Sequence, residues 1–196
     1  QNQVAISALT SELYENLNSK TYFTIYPPIS QLMFWISTLF TPKSIMGSVL
    51  VMRAIILSFE IGCMVLISRL LKSTNVMSSH ALIYALNPLV ILELTGNLHF
   101  EGIMLFFLLG FVYFFQKGKT ISPSISMAFG IATKLIPLMF LPLLIKKISL
   151  AKTILAYLLI GTTTLLLFLP FLEVQFISGM SGSLDCSSEN LSSMVD

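Results

Sequence analysis

Apolar positions fall into two regimes along this chain. In residues 1–25 they are scattered: Val4, Ile6, Leu9, Leu13 and Leu17 recur at spacings that suit one amphipathic helix, lying on a membrane surface or on the protein itself. From Pro28 they merge into long blocks parted by short polar stretches. Pro28 to Phe40 is apolar but short of the roughly 20 residues that a straight helix needs to cross a bilayer. It reads as a short tilted span or a re-entrant piece. Ser44 to Leu71 is long enough to cross. Ala81 to Gly96 is interrupted by Asn87-Pro88, and Phe100 to Phe115 follows it. Ile121 to Ile145 holds three prolines, Pro123, Pro137 and Pro142, around Lys134, and Leu150 to Glu173 is the last clear span. The pattern predicts an all-α fold, a polytopic transmembrane helical bundle over residues 26–173 with short, broken or re-entrant helices. An amphipathic or loop segment on the non-cytoplasmic side, residues 1–25, precedes it. A polar flexible tail, residues 174–196, follows.

Composition supports lipid as the solvent. Of 196 residues, 55% are hydrophobic and 10% charged, against roughly a quarter charged in soluble domains. Mean hydropathy is +0.87. A net charge of +2 and the lack of any basic arm exclude a nucleic-acid partner. Cys63 sits in an apolar segment as a small hydrophobe, and with Cys186 it defines neither a disulfide framework nor a metal site. "QNQVAISALT" shows no signal-peptide pattern, so the chain is expected to begin inside a longer protein. The Ser-rich end, "SGMSGSLDCSSENLSSMVD", holds both aspartates, Asp185 and Asp196. A truncation or a shifted reading frame would give such an end.

Lys and Arg in short loops set orientation. Arg69 with Lys72, Lys117 with Lys119, and Lys146 and Lys147 with Lys152 form three basic clusters, whereas "GNLHFEG" has neither Lys nor Arg. With the basic loops cytoplasmic, "GNLHFEG" faces the other side. Residues 121–145 must then enter and leave on one side, as a broken or re-entrant hairpin around Lys134, or the rule fails there.

Ionisable side chains at membrane depth are costly, about 2.5–3.5 kcal/mol on insertion scales, and so have partners or functions. Arg53 and Glu60 share one helix face about 10.5 Å apart along the axis. They read as a structural ion pair, as groups that each meet a partner on another helix, or, for Arg53, as a contact for a phosphate-bearing lipid. Glu93, Asn97 and Glu101 recur at i, i+4 and i+8 with His99 among them, and Gly96 and Gly102 mark a break. The helix is expected to end near Gly96. That leaves Asn97, His99 and Glu101 in a loop at the membrane boundary, for acid–base chemistry or for a capped turn meeting headgroups and water. These residues are too few for a metal site. Lys134 reads either as a cation for a phosphate headgroup or as the partner of Glu60, Glu93 or Glu101. No motif of a soluble nucleotide-binding, zinc-protease or hydrolase site occurs.

"IYPPISQ", "MRAIILSFEIGCMVLISRLL", "YALNPLVILELTGNLHFEGIMLFFLLG" and "ATKLIPLMFLPLLI", in this order, resemble the GT-C type polytopic membrane glycosyltransferases. They are most similar to bacterial mannosyltransferase-like proteins that use polyprenyl-phosphate sugars. The resemblance runs from about Tyr22 to Pro170. It implies a membrane enzyme of the bacterial inner (plasma) membrane. Such an enzyme moves a sugar, mannose in the nearest cases, from a polyprenyl-phosphate donor to an acceptor on the non-cytoplasmic face, without a cofactor. It also implies a catalytic carboxylate, usually Asp, in an outer loop after the first span. This sequence has no Asp before Asp185 and no apolar span before "YPP". The resemblance therefore implies a middle fragment lacking that loop. His99 and Glu101 are the catalytic candidates that the resemblance leaves in this chain. Tyr26, Gln31, Arg53, Asn97 and Lys134 are its candidates for binding substrate or lipid phosphate, with Tyr26 and Gln31 facing the cavity where the outer loop returns to the membrane. Two rival readings are a transporter or flippase, which also uses broken helices and intramembrane charges, and a non-catalytic membrane subunit.

Overall fold

The structure is a computed structural model that describes residues 26–41, 44–145 and 147–171. The amphipathic reading of residues 1–25 and the flexible tail of 174–196, with Cys186, lie outside the described residues. Tyr26 to Pro170 form one compact unit, helical and without strands among the described residues.

Local chemistry explains where helices begin. Pro27 is extended (φ −63°, ψ 164°) and Pro28 takes the first helical position of α1, Pro28–Phe40, where its missing N–H and fixed φ cost nothing. The Ser44 side chain accepts from the Gly47 N–H at 3.0 Å and caps α2, Ile45–Ser73. A 3-10 turn, Ser78–His80, leads into α3, Ala81–Ala85. The chain breaks at Asn87-Pro88, where Asn87 Oδ1 accepts from the Leu89 N–H at 3.0 Å. A wide π-wound turn, Val90–Gly96, follows, then α4, Glu101–Gln116, bent 110° from it. Beyond these lie α5, Ile121–Thr133, a 3-10 turn, Ile136–Phe140, α6, Pro142–Ile145, and α7, Leu150–Phe168.

Two stretches, Ile45–Ser73 and Leu150–Phe171, are long and apolar enough to cross a membrane. The bent pair of Val90–Gly96 with α4 makes a third if it is counted as one span. The expected bundle of short, broken and long membrane helices is what the chain forms.

The bundle has two chemically distinct ends. At the first, Ser73 Oγ donates to Gln116 Oε1 at 3.1 Å. Arg69 and Lys117 both sit over the Tyr113 ring, 6.0 and 4.6 Å from its centroid. Lys119 and Lys152 line one small cavity with Leu144 and Ile148. The loops bearing the basic clusters therefore meet at one end. At the other end, Ser30 Oγ donates to the Thr133 carbonyl at 3.1 Å, and the Tyr26 ring packs on Phe100 at 6.3 Å.

Two segments, α1 and residues 121–145, follow paths in the bundle that bear on topology. The first turn of α1 packs on Thr133, and Thr41 Oγ1 lies 2.9 Å from Ser48 Oγ near the start of α2. Helix α1 thus stays at the Thr133 end and does not run to the basic end. Helix α5 climbs from the basic end and stops at Lys134, which is extended (φ −156°, ψ 140°). The chain then returns through Ile136–Phe140 and α6 to Leu144, at the basic end again. Residues 121–145 thus form a broken hairpin with both ends at the basic end.

Two apolar cores hold the ends together. Ile29, Met33, Ile56, Phe100, Ile103 and Ala132 pack at the Thr133 end. Met127, Ala128, Ile131, Leu144, Ala156 and Ile160 pack between α5, α6 and α7. Large apolar side chains such as Ile83, Leu86 and Leu165 face outward, as the lipid-facing side of a membrane bundle does.

Candidate functional site

The polar residues singled out from the sequence gather at the end opposite the basic loops. Their placement follows from the two breaks described above. The π-wound turn ends at Gly96, Asn97 caps it (φ −90°, ψ 5°), and Leu98 takes a left-handed backbone with φ 58°. A left-handed leucine costs about 1–2 kcal/mol. Here it swings His99 back across the turn while its own side chain packs against the core. Glu101 then opens α4. From the second break, Lys134 reaches over and makes an ion pair and hydrogen bond to Glu101 Oε1.

The result is a connected chain of groups. Asn97 Nδ2 donates to Glu93 Oε2 at 3.2 Å. His99 lies between two carboxylates, with Nε2 3.9 Å from Glu93 Oε2 and Nδ1 3.5 Å from Glu101 Oε2. Glu101 is shared by His99 and Lys134. Arg53 Nη2, from α2, donates to the Gly96 carbonyl at 3.2 Å and so joins the same turn. His99 is about half exposed and Lys134 is 42% exposed, so the cluster is an open rim that a ligand can reach. Among the described residues no three His, Cys, Asp or Glu groups are placed to hold a metal ion.

Tyr26 and Gln31 border this rim. Tyr26 is half exposed and packs on Phe34 and on Phe100, the residue before Glu101. Gln31 Nε2 donates to the Tyr26 carbonyl at 3.3 Å, which fixes the Tyr-Pro-Pro turn. The Ser30 bond to Thr133 holds the start of α1 beside Lys134. All the candidate binding residues thus fall at one end of the bundle.

Two expectations need correction. Arg53 and Glu60 do not pair with each other. Arg53 meets Gly96, whereas Glu60 is buried and accepts from the Tyr84 hydroxyl at 2.7 Å. The reason is the return of residues 78–96 along α2, which brings a closer partner to each. Glu101 is not a loop residue but the first residue of α4. The break expected around Lys134 is present: α5 ends there and the lysine's ammonium reaches the rim.

Sequence reasoning also missed the surroundings of Glu60. Its Oε1 is buried without a hydrogen-bond partner among the described residues, and it abuts Gly102. Cys63 Sγ donates to the Gly102 carbonyl at 3.6 Å. A usable signal was Tyr84 itself, a phenol in an apolar run, since a buried tyrosine hydroxyl usually finds a polar partner.

The chain is thus a helical bundle of membrane-span-like and broken helices with a rim of acidic, basic and imidazole side chains at one end. The chain belongs to the MptA_B family: the family model described as alpha-(1->6)-mannopyranosyltransferase, N-terminal domain, matches residues 18–149. No curated protein and no solved structure matches the chain. The matched range contains every candidate site residue from Tyr26 to Lys134. It identifies a domain of a membrane mannosyltransferase and supports the resemblance seen in the motifs.

Proposed function

We propose that the rim formed by Arg53, Asn97, His99, Glu101 and Lys134 binds the phosphate and sugar of a polyprenyl-phosphate-linked mannose on the non-cytoplasmic face, within a GT-C type transferase. The observation that carries this reading is the gathering of these residues at the end opposite the basic loops, in a mannosyltransferase family domain. The positive-inside rule assigns the basic end to the cytoplasm and the rim to the other side.

The chemistry is a transfer between oxygens. A base takes the proton of an acceptor hydroxyl, the oxygen attacks the anomeric carbon, and the lipid phosphate departs with the bonding electrons. Lys134 and Arg53 are the cations that would neutralise the phosphate as its charge develops. Glu101 or His99 would take the proton, His99 being held by carboxylates on both sides. Tyr26, Gln31 and Asn97 would bond sugar hydroxyls. Before the donor arrives, the bond to Glu101 keeps Lys134 extended toward the rim.

Lys134→Met in the intact enzyme tests this. Loss of a charge-assisted contact to phosphate should weaken donor binding on the order of ten- to a hundredfold. The partner left behind, Glu101, is partly exposed, so the melting point should reflect a loss of only about 1 kcal/mol. A marked loss of stability with unchanged donor affinity would make Lys134 structural and end the phosphate assignment.

A further inference from the structure

A second cleft lies nearer the basic end, between α2, α4 and α5. Its volume is about 640 Å³, within the roughly 300–1,000 Å³ of ligand pockets. Gly62, Gly110, Leu66, Phe106 and Phe129 line it, and Arg69 stands among its lining residues. The wall is apolar apart from Arg69 and two serines. One of these, Ser126, already donates to the Phe107 carbonyl at 2.6 Å, so it asks nothing of an occupant.

The mouth is cationic. Arg69 and Lys117 sit over Tyr113, and Lys119 sits 5.7 Å from the centroid of Phe114, itself a lining residue. None of these three cations forms an ion pair with a carboxylate among the described residues. An apolar groove ending in a patch of uncompensated positive charge complements an amphiphile with an anionic head.

We propose that this groove is a binding site for an anionic phospholipid of the leaflet at the basic end. One acyl chain lies along Leu66, Phe106 and Phe129, and the phosphate sits on Arg69 with Lys117 and Lys119. The site is separate from the rim at Lys134 and does not depend on the function proposed for that rim. Such a lipid fills the gap between three helices that touch through glycines, and it couples their packing to the charge of the membrane. A second copy of the chain, or a helix of another protein, offers apolar surface but no reason for the cations at the mouth.

Binding of phosphatidylglycerol and of phosphatidylcholine to the full chain, purified in detergent, decides the matter by native mass spectrometry and thermal shift. Phosphatidylglycerol should bind about tenfold more tightly, the order expected of one Lys or Arg charge at a membrane surface. Arg69→Gln should reduce that preference and the triple variant Arg69→Gln, Lys117→Gln, Lys119→Gln should abolish it; all three residues are exposed, so the variants should still fold. Val65→Trp, which fills the groove from its exposed wall, should weaken both lipids. Equal binding of the two lipids would overturn the proposal. So would a preference that survives the triple variant, displacement of the bound phospholipid by a polyprenyl phosphate, or a chain dimer cross-linked through Val65→Cys that excludes lipid.

Discussion

The carboxyl of Glu60 and the missing side chain of Gly102 are two halves of one contact. A Cβ built on Gly102 would come within 2.2 Å of Glu60 Oε1. No carboxylate on a packed helix can yield that much without moving. Gly102→Ala should therefore push Glu60 aside, weaken its bond from Tyr84 and shift the start of α4. Overpacking of this kind costs about 1–3 kcal/mol. Gly161→Ala is the control: nothing lies within 4 Å of its would-be Cβ, and alanine favours a helix by up to about 1 kcal/mol. Melting of both variants in detergent should show a lower midpoint for Gly102→Ala and an unchanged or higher one for Gly161→Ala. A Gly102→Ala protein as stable as the parent would show that the contact carries no weight. At this scale the sequence was a partial guide. Lys134 stood out as a lone cation in an apolar run, and Glu101 was among its proposed partners. The choice between Glu60, Glu93 and Glu101 needed the hairpin of α4 and α5, which brings together residues 33 apart in the chain.

Helix boundaries were legible where proline and glycine punctuate the chain. Pro28 starts α1, Asn87-Pro88 breaks the arm before α4, and Gly96 ends the π-wound turn. The π winding of Val90–Gly96 was not legible, because an apolar run reads alike at either pitch. Nor was the 110° bend after it, which depends on the left-handed backbone of Leu98. That bend sets the turn at Asn97 apart from the membrane arms on both sides. Asn97→Cys and Lys119→Cys should accordingly react with a membrane-impermeant thiol reagent from opposite faces in sealed, oriented vesicles, Lys119→Cys from the cytoplasmic one. Both variants carry their cysteine at exposed positions, the native Cys63 is buried, and Cys186 is replaced by Ser in both and in the parent. Labelling of Asn97→Cys from the cytoplasmic side alone would reverse the orientation and move the proposed site to the wrong face.

For the whole molecule, the separation of charge along the bundle axis follows from short loops, each too brief to change sides. Three basic turns meet at one end, while both acidic members of the rim, Glu93 and Glu101, lie at the other. Net charge says little about this, since +2 is small. The distribution carries the information, and it was readable from residue order once the broken hairpin was allowed. The partition into two apolar cores was not readable. It depends on α7 running back from Lys152 so that Leu167 and Phe168 pack against the first core.

The shortness of α5 sets a depth. Its 13 residues rise only about 20 Å from the basic end to Lys134, while a bilayer's hydrocarbon layer is about 30 Å thick. With Lys119 at one interface and α5 along the membrane normal, the backbone of Lys134 stops roughly 10 Å below the other. The membrane must either dimple toward it or leave it at the bottom of a wet funnel, and a thick bilayer pays more for the dimple than a thin one. Lys134→Cys, reconstituted in short-chain and in long-chain phosphatidylcholine, should react with a water-borne thiol reagent faster in the thin bilayer, whereas Asn97→Cys should react at nearly the same rate in both. Equal rates for Lys134→Cys would mean that water reaches it by a path the lipid does not control. If the rates differ, bilayer thickness becomes a throttle on everything that happens at this lysine, and a cell could tune the site through the length of its fatty acids alone.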